Sequence, residues 1–317
     1  MFMKEKIELS VVVASHRPQM ICGLLDALQN QNVEKKLFET IVICDYDPQT
    51  LKKKYKQVRW FFLDDKNIST KRNLGVAASK GEILAFTDDD CIPYQNWISE
   101  GLNYLRMHVN CSAVEGYTSV EKNALNLGMH SEAKRLEKPA MRTNNIFYRK
   151  KVFLDAGGFD SRFSVQREDA DLAFSVLEKG GIIDYCAKIR VEHRFRHWEY
   201  WDLLKNCWNR RFDPLLYLKH RQMYCRYIRS PFTPSVTLQL LAISFYAMAS
   251  VFPVKKRWLA LVHLLLTGML GLRRSGLSHL LHKRFIAEFV SVLLSPFLVV
   301  IALIYGFIRF RKVKQTP

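Results

Sequence analysis

Asp88, Asp89 and Asp90 stand at the end of an apolar run, Ile83–Thr87. Three adjacent carboxylates repel one another, so their folding costs free energy unless a cation compensates. Asp88 and Asp90, two apart, can both turn toward one hard divalent ion whose shell phosphate oxygens complete. An isolated acidic triplet is ordinarily a solvated turn; the strand-end position is what makes this one a candidate site. A second acidic group, Glu168, Asp169 and Asp171, opens a stretch of helical character. Carboxylates there ordinarily complement the helix dipole, yet one within ~3 Å of a hydroxyl can also take its proton. His193, beside a basic run, reads equally as a surface residue and as a ligand.

These residues need a frame, and the first part of the chain supplies one. Ile7–Ala14, Thr40–Cys44, Val58–Leu63 and Ile83–Thr87 are short β-branched or aromatic runs that read as buried strands. Between them, Pro18–Gln31, Leu51–Gln57 and Thr70–Ser79 have helical spacing or a solvated helical face. Strand and helix alternating over short connections predict an α/β fold, a mostly parallel sheet with helices on both faces. Ligands of such sheets sit beyond the carboxyl ends of the strands, which singles out Ser15–Arg17, Asp45–Asp47 and Asp88–Asp90. Farther on, Glu168–Lys179 is a helix with an acidic first turn and Gly180–Gly181 past its end.

The rest of the chain is a different material. Of 317 residues, 48 are Lys or Arg and 30 Asp or Glu, and mean hydropathy is −0.10. Residues 201–317 hold 18 of those basic side chains and 3 of the acidic ones. Residues 197–230 interleave rings (Trp198, Tyr200, Trp201, Trp208) with cations (Arg210, Arg211, Arg226), as a bilayer interface favours. Ser230–Val254 is uncharged over 25 positions and Phe289–Ile308 over 20, each the length of a membrane span, with the 15 residues of Trp258–Leu272 between them. Basic clusters flank every apolar stretch, so plain spans conflict with the positive-inside rule and the number of crossings stays open between spanning and in-plane helices. Seven scattered cysteines without a C-x-x-C pair point to a reducing compartment. The N-terminal apolar run reads as a strand rather than as the core of a signal peptide. The expected organisation is a catalytic domain over 1–196, an interfacial helical segment over 197–230 and membrane-associated helices over 231–317. Anionic lipid, not nucleic acid, is the expected partner of the basic tail.

Five motifs occur in order: LSVVVASHR (9–17), ETIVICDYDP (39–48), KRNLG (71–75), KGEILAFTDDDC (80–91) and NNIFYRKKVFLDAGGFDSRFSVQREDADL (144–172). Over about residues 7–195 the chain resembles the family 2 glycosyltransferases with the GT-A fold, of the membrane-associated bacterial type. The resemblance implies that Ser15 borders the nucleotide, Asp45 meets the base and Arg72 lies near base and diphosphate. It implies that Asp88 and Asp90 are the outer members of a D-x-D motif holding Mn2+ or Mg2+, with Asp89 on the donor side between them. Asp169 is then the general base, paired with Glu168; Asn145 and Asp171 lie on the acceptor side; and His193 completes the metal site. The implied activity is inverting transfer of a sugar from a nucleotide diphosphate to a hydroxyl of a lipid-linked or envelope glycan, by a cytoplasmic domain at the plasma membrane. The chemistry agrees: the leaving diphosphate needs its charge neutralised, the acceptor needs a base, and the two must be in line.

Departures narrow this reading. Ala14 precedes Ser15 where the family often has Pro, His16-Arg17 follow it, and Cys44-Asp45 replaces paired aspartates. The Q-x-x-R-W of processive synthases is absent, which favours addition of a single sugar; Trp208-Asn-Arg-Arg-Phe212 is a distant echo of it. Two alternatives stand beside this reading: a sugar nucleotidyltransferase, which usually carries a Gly-rich basic loop after its first strand, and an inactive membrane-anchored glycan- or nucleotide-binding protein.

Overall fold

The computed structural model describes residues 6–121, 134–194, 201–248, 256–275 and 283–313. They fall into two compact units, one from residues before 122 and from 134–194, the other from 201 onward.

The first unit is an eight-stranded mixed sheet in the order β3-β2-β1-β4-β7-β6-β8-β5. β1 (Leu9–Ser15), β2 (Phe38–Cys44), β3 (Val58–Phe62) and β4 (Ile83–Thr87) form its parallel half. The other half is β5 (Cys91–Pro93), β6 (Ala113–Val120), β7 (Asn145–Arg149) and β8 (Ile183–His193). β7 runs antiparallel to both β4 and β6, β8 is parallel to β6, and β5 pairs antiparallel with the end of β8. All seven residues of β1 are buried, as expected of a strand covered on both faces.

Helices α1 (Ile21–Gln29), α2 (Gln49–Lys54), α3 (Ile68–Ala78), α4 (Trp97–Met107), α5 (Lys150–Asp155) and α6 (Glu168–Glu178) complete the unit. Ile21, Leu24, Leu25 and Leu28 put one stripe of α1 into the core beneath Val11, Val13 and Trp97. On the opposite face Val12, Ile43 and Phe86 pack with Phe153, Phe159 and Leu172. α3 begins two residues earlier than its apolar pattern predicts, because the Asn67 side chain accepts the amides of Ser69 and Thr70. It lies close against the sheet: a Cβ on Gly75 would come within 2.5 Å of Val12 and 2.6 Å of Ile43. α6 ends as its sequence predicts, with Gly180 at φ 80°.

The second unit holds α7 (Asp202–Asn209), α8 (Asp213–Lys219), α9 (Pro234–Met248), α10 (Lys256–Ser275) and α11 (Lys283–Phe310). The C-terminal half of α11 packs on the α7–α8 corner, with Trp208 and Tyr305 rings 5.2 Å apart and Gly306 against the Arg211 carbonyl. Phe285–Phe310 is long and apolar enough to cross a membrane, and Arg257–Leu272 is a shorter apolar helix. Of the first expected span, Ser230–Val254, the helix covers 15 residues, and 249–254 lie outside the described residues. So do Trp198, Tyr200 and Lys255 of the expected interfacial and basic segments. All seven cysteines are free thiols.

Candidate active site

Ser15, Asp45 and Asp88 all follow or end parallel strands, so their side chains meet at one edge of the sheet. Asp89 is the structural centre of this edge. It is 2% exposed and accepts from Ser15 Oγ (3.0 Å), His16 N (3.0 Å), Arg17 N (3.1 Å) and Arg17 Nε (3.0 Å), with Arg17 Nη2 closing the fork. With both oxygens so occupied, Asp89 acts by fixing the loop after β1. Ser15 Oγ also meets the Tyr46 hydroxyl at 2.8 Å.

Arg17 reaches past Asp89 to Asp90, Nη1 to Oδ2 at 2.7 Å. Arg72 Nη2 holds Asp88 Oδ1 at 2.8 Å and Arg72 Nη1 holds Glu168 Oε1 at 2.7 Å. Two arginines of the chain itself therefore offset most of the repulsion in the triplet, a task the sequence assigns to a bound cation alone. Both were underread. Arg17 looks like a departure from the family pattern, and Arg72, expected at the nucleotide, is sealed from solvent between two carboxylates.

The KRNLG motif accounts for this arrangement residue by residue. Lys71 is buried and donates to the Ser15 carbonyl at 3.0 Å, with Asp45 Oδ2 at 3.2 Å. His16 Nδ1 lies 2.7 Å from the same Asp45 oxygen. Burial opposes the charge of Asp45, but the hydrogen bonds of His16 and Lys71 outweigh it and hold the carboxyl below its usual range. Burial lowers Lys71 in turn. Asn73 pairs its amide with Phe159, donating at 2.7 Å and accepting at 3.0 Å, and so anchors the Gly157–Gly158 turn. Gly75 lets the helix approach the sheet. Lys71, His16 and Arg17 lie inside the quoted motifs without an assigned role there; the signal was the strand-end stretch Ser15–Arg17 and a lysine directly before Arg72.

The carboxylates that open α6 are positioned by strain and clamps. Arg167, just ahead of α6, has φ 78°, an uncommon conformation for a residue with a Cβ. The preceding loop is tied to the start of α3 through the carbonyls of Ser161, Phe163 and Ser164. Glu168 is buried with Oε2 lacking any hydrogen-bond partner. Burial first, and then the neighbouring Asp169, push its carboxyl up to about 7 against the pull of Arg72. Asp169 is half-buried, with Oδ1 on the Ala170 amide at 2.7 Å. Asp171 is buried two residues farther along α6. Asn145 is placed differently from its expected acceptor role: its amide accepts from Trp97 Nε1 (2.8 Å) and donates to the carbonyls of Tyr117 (3.0 Å) and Ile189 (3.1 Å), inside the core.

The metal expectation meets a suitable donor set. Asp90 Oδ1 is buried without a hydrogen-bond partner, and His193 Nε2 stands 3.5 Å from it. His193 Nδ1 faces the Arg194 carbonyl at 2.9 Å. A carbonyl oxygen only accepts, so that contact puts an N–H on Nδ1 and leaves Nε2 on the side of Asp90. Asp90, Cys91 and His193 are grouped within 4.8 Å, with Asp88 outside that group and turned to Arg72. Burial pushes the Asp90 carboxyl up, with Asp88 and Asp89 adding to the shift and His193 and Arg17 opposing it.

Comparison with known proteins agrees with this geometry. Residues 10–167 match the model of glycosyl transferase family 2. Glycosyltransferase AglE of Haloferax volcanii is 26% identical over 165 residues, 47% of this chain and 54% of that one. The chain thus matches about half the length of that relative. Among solved structures, TarS 1–349 of S. aureus in complex with UDP superposes with a TM-score of 0.55 at 14% identity over 91% of this chain and 90% of that one. Its complex with UDP-GlcNAc gives a TM-score of 0.57 over the same shares. GalNAc-T7 with UDP, GalNAc and Mn2+ gives 0.53 at 14% identity, covering 71% of this chain and 50% of that one. At such identities these structures establish the fold alone.

Proposed function

Because the chain belongs to glycosyl transferase family 2 through residues 10–167, we propose that it moves a sugar from a uridine diphosphate donor to a hydroxyl of a lipid-linked or envelope glycan, with inversion at the anomeric carbon. One observation carries the reading: a single hydrogen-bonded and ionic network runs from Asp45 through Lys71, Ser15 and Asp89 to Arg17 and Asp90 on the donor side, while Arg72 ties Asp88 to Glu168 on the acceptor side. The uridine choice follows the solved neighbours, which carry UDP or UDP-GlcNAc.

Asp45, kept ionised by His16 and Lys71, accepts an N–H of the base, and Asp88, with a 30% exposed side chain, faces the donor. A divalent cation, when bound by Asp90 and His193, would neutralise charge on the departing diphosphate. Asp169 takes the acceptor proton as the hydroxyl attacks the face opposite the leaving group. Glu168 fixes the first turn that carries it.

The second unit supports a bilayer location. α10 exposes Trp258, Val262 and Met269, α11 exposes Phe297, Ile301 and Phe307, and the surrounding tail is strongly basic. An acceptor embedded in the membrane explains an active site kept at its surface. The test is UDP release from UDP-GlcNAc with Mn2+ by detergent-extracted protein, followed by transfer to membrane extracts. Full turnover by both Asp90→Ala and Asp169→Asn refutes the site, and release of inorganic diphosphate in place of UDP refutes the reaction.

A further inference from the structure

We propose that Arg72 is a positioning residue, a strut that holds the acceptor-side carboxylates in register with the donor-side Asp88, and makes no contact with the nucleotide. The inference rests on the glycosyl-transfer reading above. Arg72 is 1% exposed, with its guanidinium enclosed by protein groups. One face of its guanidinium lies over the Phe159 ring, 5.6 Å to the centroid. Its two terminal nitrogens are divided between Asp88 Oδ1 and Glu168 Oε1, and its Nε is buried without a partner. Such a group acts only through the two carboxylates it joins.

The division matters because those carboxylates belong to opposite halves of the site. Asp88 extends β4, whereas Glu168 opens α6 behind the strained Arg167. A planar fork fixes both angles of this bridge, which a lysine, with one point charge, does not. Among the described residues Arg72 supplies the side-chain donor to Glu168, and Oε2 has no partner. Asp169 follows Glu168 by one peptide, so any rotation of Glu168 moves the base.

Three measurements test this. In Arg72→Lys, UDP binding with Mn2+ stays within about threefold of wild type, while the rate of UDP release from UDP-GlcNAc falls by about thirtyfold or more. Glu168→Gln alone lowers that rate, and adding it to Arg72→Lys lowers it less than threefold further, because both changes cut one bridge. Independently of any donor, Arg72→Met and Glu168→Gln each lower Tm, and the double variant loses clearly less than the two losses together, because both changes cut one bridge. A tenfold weaker UDP affinity at unchanged rate makes Arg72 a nucleotide contact and overturns the proposal. Rates that add fully overturn it as well, as do Tm losses that add fully. Failure of wild-type protein to bind UDP refutes the donor assignment instead, and the Tm comparison then decides the strut by itself.

Discussion

The two edges of one sheet treat buried carboxylates in opposite ways. At the amino edge Glu39 accepts from Ser10 Oγ (2.7 Å), the Lys80 amide (2.6 Å) and Arg59 (2.5 Å). Burial opposes its charge, but those donors outweigh burial and hold it below the usual carboxylate range. At the carboxyl edge Asp90 and Glu168 are as deeply buried, yet each keeps one oxygen without a partner, and burial raises both. Four of the seven buried polar atoms without partners among the described residues, on Arg72, Thr87, Asp90 and Glu168, lie at this edge. An unpaired buried polar atom costs stability, so concentrating several in one place marks where the fold trades stability for ligand binding. Residue type is the same at both edges. The count of donors tells the structural carboxylate from the working one.

The strongest way to break that contrast is to remove the working groups. Asp90→Ala and Asp169→Asn should each lower UDP release by about a hundredfold to ten-thousandfold, the range of a lost acid–base or charge-stabilising group. Neither should lower Tm appreciably, because burial disfavours the Asp90 carboxylate and an asparagine at 169 still offers an oxygen to the Ala170 amide; a large drop in Tm would mean that this edge is structural after all. Next in size is Glu39→Ala, which strands Arg59 and the Lys80 amide and should cost about 2–3 kcal/mol in denaturant unfolding, with turnover per folded molecule unchanged. Altered turnover there would erase the distinction between the edges.

Acidity separates the edges by sign. Glu168 in the folded chain holds its proton up to about 7, against 4.5 ordinarily. Between those values the unfolded chain releases a proton that the folded one keeps, so stability from this group is present at low pH and lost as pH rises toward 7. Glu39 is shifted down, so its contribution is present above its ordinary value of 4.5 and lost as pH falls below it. In Tm measured against pH, Glu168→Gln should flatten the neutral side and Glu39→Gln the acid side. Interchanged effects would show that the donor counts were misassigned.

How much of this the sequence shows depends on the range of each interaction. The strands of the parallel half and the cap of α6 are local patterns, and each is found within two residues of its predicted bounds. The antiparallel half is not local: β7 enters between β4 and β6 across more than fifty residues, and no alternation in Asn145–Arg149, a nearly fully buried strand, announces it. The acidic site residues were legible because carboxylates at strand and helix ends are conspicuous. Their counter-cations were not. Arg17 ends one motif and Lys71 begins another, and only the crossing of β1 and α3 shows that one clamps Asp89 and Asp90 while the other reaches Asp45. For Asn145 the motif position says nothing of whether an amide faces solvent or, as here, Trp97.

The smallest expected effect sharpens the contrast best, because it compares one hydroxyl at each edge. Ser15 Oγ is one of several donors to Asp89, which keeps the amides of His16 and Arg17 and the Arg17 fork when it is lost. Ser15→Ala should therefore cost about 1 kcal/mol or less in stability and change UDP affinity and turnover by only a few-fold, through the freed Tyr46 hydroxyl. Ser10 Oγ has no such redundancy: it donates to Glu39 and accepts from the Gly81 amide at 2.9 Å, where a Cβ on Gly81 would strike the Leu9–Ser10 backbone. Ser10→Ala leaves that buried amide without its acceptor and should cost the larger share of stability, about 1–3 kcal/mol, with no kinetic consequence. Equal losses from the two serines would mean that Asp89 is held no more redundantly than Glu39, and that the β1 loop depends on each donor separately.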